Sequence, residues 1–138
     1  MKALVIDASA TLGFLLRDEQ AAPSTKALKA MEQGASTYVP MHWWLETANG
    51  LLVAERRKRA SQADITEALQ LIQALPVMTD DETPQRSGSD TMALARQYTL
   101  TCYDAAYLEL ALRRKARLVT MDQALLVAAR NVGVSILA

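Results

Sequence analysis

The chain has 138 residues, of which 51% are hydrophobic and 22% charged, a composition typical of one globular domain and not of a disordered or fibrous protein. Fifteen basic residues balance fifteen acidic ones, so the overall charge indicates neither a nucleic-acid-binding nor a membrane-surface protein. The single cysteine, Cys102, excludes an intrachain disulfide and a multi-cysteine zinc site, and no apolar run approaches the roughly 18 residues of a membrane helix; we expect one soluble, cytoplasmic domain over residues 1–138, with no membrane partner.

The first half of the chain alternates strand and helix patterns. Residues 2–6 are an aliphatic run suited to a strand covered on both faces, and residues 9–19 have helical spacing of their leucines. A helix over residues 23–34 ends at a glycine, and a short strand follows at residues 37–40. Two further helices are predicted, one over residues 42–59 and one opened by Ser61, with Asp64 at capping-box spacing.

The second half continues the alternation and fixes the fold class. Short strands are predicted at residues 75–79, 117–121 and 133–137, and helices at residues 88–98, 103–115 and 123–131. The polar and acidic stretch 80–90 is the predicted mobile loop. Strands that alternate with helices predict an α/β protein, a three-layer α/β/α sandwich around a mainly parallel sheet. Functional groups in such folds lie outside the carboxyl ends of the strands.

Four acidic residues are candidates to meet at that edge. Asp7 and Asp122 directly follow predicted strands, Asp104 begins a helix, and Glu46 lies inside the long helix after the second strand. Neighbouring carboxylates repel one another unless a cation neutralises them. Oxygen ligands without His or Cys suit Mg²⁺ or Mn²⁺, and such a centre can hydrolyse phosphate esters.

Each acid also has a structural interpretation. Asp7 and Asp122 precede helices and are placed to act as N-caps, and Asp104 follows Thr101 at a capping-box-like spacing. Glu46 is too far inside its helix to be a cap. The helical spacing predicts a core face made of Trp44, Leu45, Ala48, Leu51 and Leu52. Glu46 then lies on a second face, a groove or subunit contact, with Trp43, Asn49, Gly50 and Val53.

Four motifs together carry a family resemblance that covers nearly the whole chain: VIDASATLGFLL, LETANGL, YDAAYLELAL and LVTMDQAL. In these motifs the chain resembles the PIN domain, in particular the VapC-type toxin ribonucleases of type II toxin–antitoxin pairs. The four acidic positions of the family fall on Asp7, Glu46, Asp104 and Asp122, and its hydroxyl after the first acid falls on Ser9.

The resemblance implies a PIN-like endoribonuclease that hydrolyses RNA phosphodiester bonds with water activated by Mg²⁺ or Mn²⁺, leaving a 5′-phosphate and a 3′-hydroxyl. It also implies a homodimer and an antitoxin protein whose tail covers the acidic site. Asp7 and Asp104 would be the main metal ligands, and Glu46 and Asp122 would complete the catalytic cluster. Ser9 and Thr120 would support it by hydrogen bonds. Independently of the resemblance, the position of Asn49 one turn after Glu46 is consistent with an assisting role in the groove or with a plain surface amide.

Other charged residues have less specific signals. The basic runs 55–59 and 113–117 are dense enough to attract phosphates, which makes Arg56, Arg57 and Arg113, together with Arg17, candidate RNA contacts. Both runs also end helices, where cations complement the helix dipole. The acids at residues 80–82 match no family motif and are interpreted as loop charge, and the sole histidine, His42, as a capping or packing residue. The alternative function is a catalytically silent PIN-like module that binds RNA or protein.

Overall fold

A four-stranded parallel sheet forms the centre of the computed structural model, which describes residues 2–138. Its spatial order is β3-β2-β1-β4, so β1 pairs with β2 on one side and with β4 on the other. The strands are β1 (Leu4–Ile6), β2 (Thr37–Val39), β3 (Val77–Thr79) and β4 (Arg117–Val119). Because parallel strands end at the same edge of the sheet, the segments after β1, β2 and β4 are neighbours there.

The helices form two layers that enclose this sheet, which confirms the predicted three-layer α/β/α fold. One set contains α1 to α4, in which α1 packs on both α2 and α3 and α3 packs on α4, and the other is built around α7, which packs along β1, β2 and β4. The helices are α1 (Ala8–Leu15), α2 (Ala22–Glu32), α3 (Trp43–Arg56), α4 (Gln62–Ala74), α5 (Thr83–Arg86), α6 (Met92–Tyr98), α7 (Cys102–Arg114) and α8 (Gln123–Val132). Among the described residues, no helix is both long and apolar enough to span a membrane.

The core explains why these segments fold as they do. All three residues of β1 are buried, as the aliphatic run predicts for a strand covered on both faces. α7 buries seven consecutive residues, 105–111, because the sheet lies on one side of it while α6 and α8 pack on its other sides. α1 and α2 approach closely at Gly13, where an added Cβ would lie 2.2 Å from Ser24 Oγ. The capping box predicted for α4 is present, with Asp64 N donating to Ser61 Oγ at 3.1 Å and Ser61 N donating to Asp64 Oδ2 at 2.9 Å.

Two predicted segments differ in the structure. Residues 80–90 are not a loop, because residues 83–91 are helical, with a π-helical turn over Ser87–Thr91 that leads into α6. Arg86 supports this helix by ion pairs with Glu82 and Asp90 at 3.0 and 3.1 Å. Residues 133–137 are not a full strand, since only Leu118 and Ile136 form a bridge. The tail still follows β4, where Leu118 N donates to Ser135 O at 2.9 Å.

The predicted core face of α3 is wrong except at Leu51, which is buried. Trp43 is 0% exposed whereas Leu45 is 76% exposed, so the buried face is Trp43, Thr47, Leu51 and Ala54. A hydrogen bond explains the rotation, because Trp43 Nε1 donates to Thr11 Oγ1 at 3.0 Å and Thr11 Oγ1 donates to the Asp7 carbonyl at 2.7 Å. These bonds fasten the start of α3 to the end of β1 and leave an apolar stripe of α3 exposed.

Candidate active site

Asp7 lies at the end of the central part of the sheet and is almost completely buried. Its backbone N donates to the Val119 carbonyl at 3.1 Å, which joins it to the end of β4. As the N-cap of α1, its Oδ1 accepts hydrogen bonds from Ala10 N at 2.9 Å and from Ser9 Oγ at 2.7 Å. Burial nevertheless raises the pKa of Asp7 to about 6, because desolvation outweighs these hydrogen bonds and the nearby charge of Asp104 adds to it.

Two hydroxyl groups hold Asp7 and the segment after β4 together. Thr120 Oγ1 donates to Asp7 Oδ2 and accepts a hydrogen bond from Asp122 N at 3.0 Å. Ser9 Oγ accepts one from Met121 N at 2.9 Å. The residues that follow β1 and β4 therefore form one hydrogen-bonded unit, and both hydroxyls lie against the first acid.

Asp104 and Asp122 face the same edge from two other helices. Asp122 is the N-cap of α8, and its Oδ1 accepts from Leu125 N at 2.9 Å. Asp104 lies in the first turn of α7, with its backbone N donating to Thr101 Oγ1 at 3.1 Å. Burial, followed by the charges of Asp122 and Glu46, raises the pKa of Asp104. Asp104 therefore lies within range of the charges of Asp122 and Glu46, and Asp7 within range of the charge of Asp104.

Glu46 lies in the first turn of α3, the helix that follows β2 at the same edge of the sheet. The Tyr107 hydroxyl donates to Glu46 Oε1 at 2.6 Å, and His42 Nε2 lies 3.6 Å from the same oxygen. Sequence reasoning did not single out Tyr107 and gave His42 only a capping or packing role. The available signal was the spacing in YDAAY, since residues three apart on a helix share a face and Tyr107 follows Asp104 by three positions.

The other predicted residues lie farther from the acids. Asn49 is exposed on α3, one turn after Glu46. Arg56 and Arg57 are exposed at the other end of α3, about 15 Å from Glu46 along the helix axis at about 1.5 Å per residue. Arg17 is exposed in the turn after α1. Within residues 2–138, these three arginines have no ion-pair partner among the carboxylates, so their charges face solvent.

Arg113 differs from the prediction, because its guanidinium is occupied by carboxylates. It pairs with Asp80 at 2.8 Å, with Glu109 at 2.8 Å and with Glu82 at 3.1 Å. Burial alone would raise the pKa of Asp80, yet the hydrogen bonds and charge of Arg113 hold that pKa below its ordinary value. The side chain of Arg113 is therefore part of a structural ion-pair network and is not free to bind phosphate.

The same network bears on where a metal ion would bind. The carboxylate oxygens of Asp80, Asp81 and Glu82 lie within 4.8 Å of one another, close enough to hold a cation, but Arg113 already supplies positive charge to Asp80 and Glu82. The pKa values of Asp7 and Asp104 are shifted in the opposite direction from that of Asp80, raised mainly by burial and to a smaller extent by neighbouring carboxylates. The carboxylate oxygens of Asp7 and Asp104 are hard donors, the kind of ligand that Mg²⁺ and Mn²⁺ prefer.

Comparisons with known proteins were made with the sequence and with the structure. A scan against family models matches the PIN domain over residues 4–131, and a search of curated proteins returns no match. The solved structure of PAE2754 from Pyrobaculum aerophilum is 24% identical, with a TM-score of 0.67, over 92% of this chain and 79% of that chain.

Two further solved structures resemble the fold. A toxin–antitoxin complex from Klebsiella pneumoniae is 16% identical, with a TM-score of 0.58 and coverage of 87% of each chain. Mycobacterium tuberculosis VapC20, a sarcin–ricin loop cleaving toxin, is 16% identical, with a TM-score of 0.58, over 91% of this chain and 95% of that chain. At these identities the three structural likenesses show a shared fold.

Proposed function

The chain belongs to the PIN domain family, and from this premise we propose that it is an endoribonuclease that requires Mg²⁺ or Mn²⁺ and acts as the toxin of a type II toxin–antitoxin pair. The observation that supports the proposal is the position of Asp104 among the other acids: after burial, the charges of Asp122 and Glu46 raise its pKa, and its own charge adds to the burial that raises the pKa of Asp7. Buried carboxylates in this state bind a divalent cation favourably.

Each acid has a distinct part in the proposed centre. Asp7 and Asp104 are the main ligands, and Glu46 and Asp122 complete the donor set directly or through water. A divalent cation held by these acids would supply Lewis acidity for water activation at the phosphodiester. Ser9 and Thr120 fix the orientation of the Asp7 carboxylate by the hydrogen bonds described above.

The proposed reaction adds one water molecule across an RNA phosphodiester. A bond forms between the water oxygen and phosphorus, the bond from phosphorus to the 3′-oxygen breaks, and that oxygen takes a proton. The products are a 5′-phosphate and a 3′-hydroxyl. Arg56, Arg57 and Arg17 are proposed to contact phosphates away from the cleaved bond, since all three are exposed and Arg56 and Arg57 lie at the opposite end of α3 from Glu46.

Two protein partners follow from the same assignment. We propose an antitoxin that covers the acidic edge, in line with the Klebsiella pneumoniae neighbour, which is a toxin–antitoxin complex. We also propose a homodimer, supported by an apolar stripe on α3 in which Leu45 is 76% and Leu52 38% exposed. Size-exclusion chromatography with light scattering tests the homodimer, and Leu45→Glu should shift the protein to a monomer.

The decisive experiment for the activity is cleavage of a mixed cellular RNA pool by antitoxin-free protein. Mg²⁺ or Mn²⁺ is compared with excess chelator, and Asp104→Asn is compared with wild type. Asp81→Asn is the matched control, because Asp81 is an exposed acid outside the proposed centre. We expect discrete cuts that disappear with chelator and in Asp104→Asn but remain in Asp81→Asn.

Two results would contradict the proposal. Full activity of Asp104→Asn would remove that residue from the active site, and cuts that persist in chelator would exclude the metal dependence. Binding of RNA without cleavage in any metal, by protein shown to be folded, would favour the silent binding module.

A further inference from the structure

Glu46 is held differently from the other acids of the site. Asp7 and Asp122 are each fixed by a backbone N–H at a helix start, whereas Glu46 lies on a longer side chain that is 35% exposed. Its fixed contact is with Tyr107, whose hydroxyl lies 2.6 Å from Glu46 Oε1. The position of the Glu46 carboxylate therefore depends on a side chain from another helix.

The Tyr107 hydroxyl is a donor in this contact. Tyr107 is 1% exposed. Its hydroxyl is the donor across the 2.6 Å contact with Glu46 Oε1, because an ionised carboxylate can only accept, and such a charge-assisted hydrogen bond is a strong class of contact. Since a buried hydroxyl needs a partner, the bond also fixes the rotamer of Glu46.

His42 reinforces the same arrangement from the start of α3. Its Nε2 lies 2.9 Å from the Tyr103 carbonyl, and because a carbonyl only accepts, Nε2 carries the hydrogen. The imidazole also packs edge-on against the Tyr107 ring, with centroids 5.3 Å apart. The first turns of α3 and α7 are therefore joined on the side of Glu46 Oε1.

We propose that Tyr107 is a positioning residue, which holds Oε1 of Glu46 and so orients this carboxylate toward the edge where the proposed cation would bind. The inference rests on the proposed function and deepens it. Asp104 and Tyr107 lie one turn apart on one face of α7, so the hydrogen bond also sets the separation of Glu46 from Asp104. Preordering a flexible glutamate before the cation arrives removes an entropic cost from metal binding.

The test measures Mn²⁺ affinity by isothermal titration calorimetry. Tyr107→Phe keeps the buried ring and removes only the hydroxyl, and Tyr98→Phe is the matched control on α6. Loss of a residue that orients a metal ligand weakens metal affinity by about 10- to 100-fold, so we expect about a 10-fold weakening in Tyr107→Phe and none in Tyr98→Phe. Thermal unfolding in chelator should show that both variants are folded.

A double-mutant cycle separates positioning from packing. In a Glu46→Gln background, Tyr107→Phe should cause no further loss of Mn²⁺ affinity, because the proposed effect acts through the Glu46 carboxylate. Wild-type affinity in Tyr107→Phe, or an equal loss in both backgrounds, would overturn this inference alone. Absence of Mn²⁺ binding by the wild-type protein would overturn the proposed function and this inference with it.

Discussion

Replacing Asp7 by Asn should stabilise the metal-free protein. The pKa of Asp7 rises from its ordinary 3.8 to about 6 in the folded protein, with burial as the largest cause. Each factor of ten in proton affinity is worth about 1.4 kcal/mol, so the ionised form of Asp7 costs the folded state about 3 kcal/mol. An asparagine at this position keeps an oxygen for Ala10 N and removes the buried charge.

The sign of the pH dependence follows from proton linkage. Because the folded protein binds the Asp7 proton more tightly than the unfolded chain, the free energy of unfolding falls as the pH rises from about 4 to about 6. At pH 8 Asp7 is ionised in the folded protein, so the full destabilisation by its buried charge is present. The difference between Asp7→Asn and wild type should therefore be near zero at pH 4 and reach about 3 kcal/mol at pH 8.

Urea unfolding in the presence of chelator, at both pH values, measures this difference. Mn²⁺ should then reverse the order at pH 8, since it stabilises a folded protein that binds it and Asp7→Asn lacks a proposed ligand. The reasoning is refuted if Asp7→Asn is no more stable than wild type at pH 8 in chelator. It is also refuted if the difference is the same at both pH values, because the gain would then not come from ionisation.

Three further perturbations test other parts of the structure. Arg113→Met should lower the free energy of unfolding by about 3 to 5 kcal/mol in urea titrations, because it leaves two buried carboxylates without their cation; an unchanged midpoint would contradict the structural role. Gly13→Ala should cost about 1 to 3 kcal/mol through overpacking, partly recovered by Ser24→Ala, and equal losses with and without Ser24→Ala would contradict this contact. Arg56→Gln with Arg57→Gln, in a cleavage-deficient background, should reduce the salt slope of RNA binding by about 1.4, measured by fluorescence anisotropy, and an unchanged slope would remove both from the RNA-binding surface.

The sheet could be predicted from the sequence, because continuous apolar runs mark its buried strands. Buried parallel strands need continuous apolar residues, and the runs before Asp7 and Asp122 have them. The rule that parallel strands present function at their carboxyl ends then places these two acids near each other. Each of these strands is followed directly by a helix, so both aspartates are also N-caps. The capping role and the proposed role in the active site therefore apply to the same two residues.

Contacts between elements could not be predicted from the sequence. Helical periodicity favours a buried face of α3 that includes Leu45. The hydrogen bond between Trp43 and Thr11, a contact between two helices, instead turns Trp43 toward the core. The ion pair of Arg113 with Asp80 joins residues 33 positions apart, and no local pattern indicates that pairing. Tyr107 and Glu46 are 61 positions apart, which explains why the hydroxyl that holds Glu46 appears only in the folded structure.

The position of β1 between β2 and β4 has a consequence for how the protein folds. β1 pairs with β4 across more than 110 residues of chain, from Leu4 to Arg117, and the Thr120 contact to Asp7 spans 113 positions. Pairings of this separation require closure of most of the chain, which makes them slow to form. We therefore expect local helices to form before the acidic edge, which is complete only when β4, the edge strand beside β1, has docked.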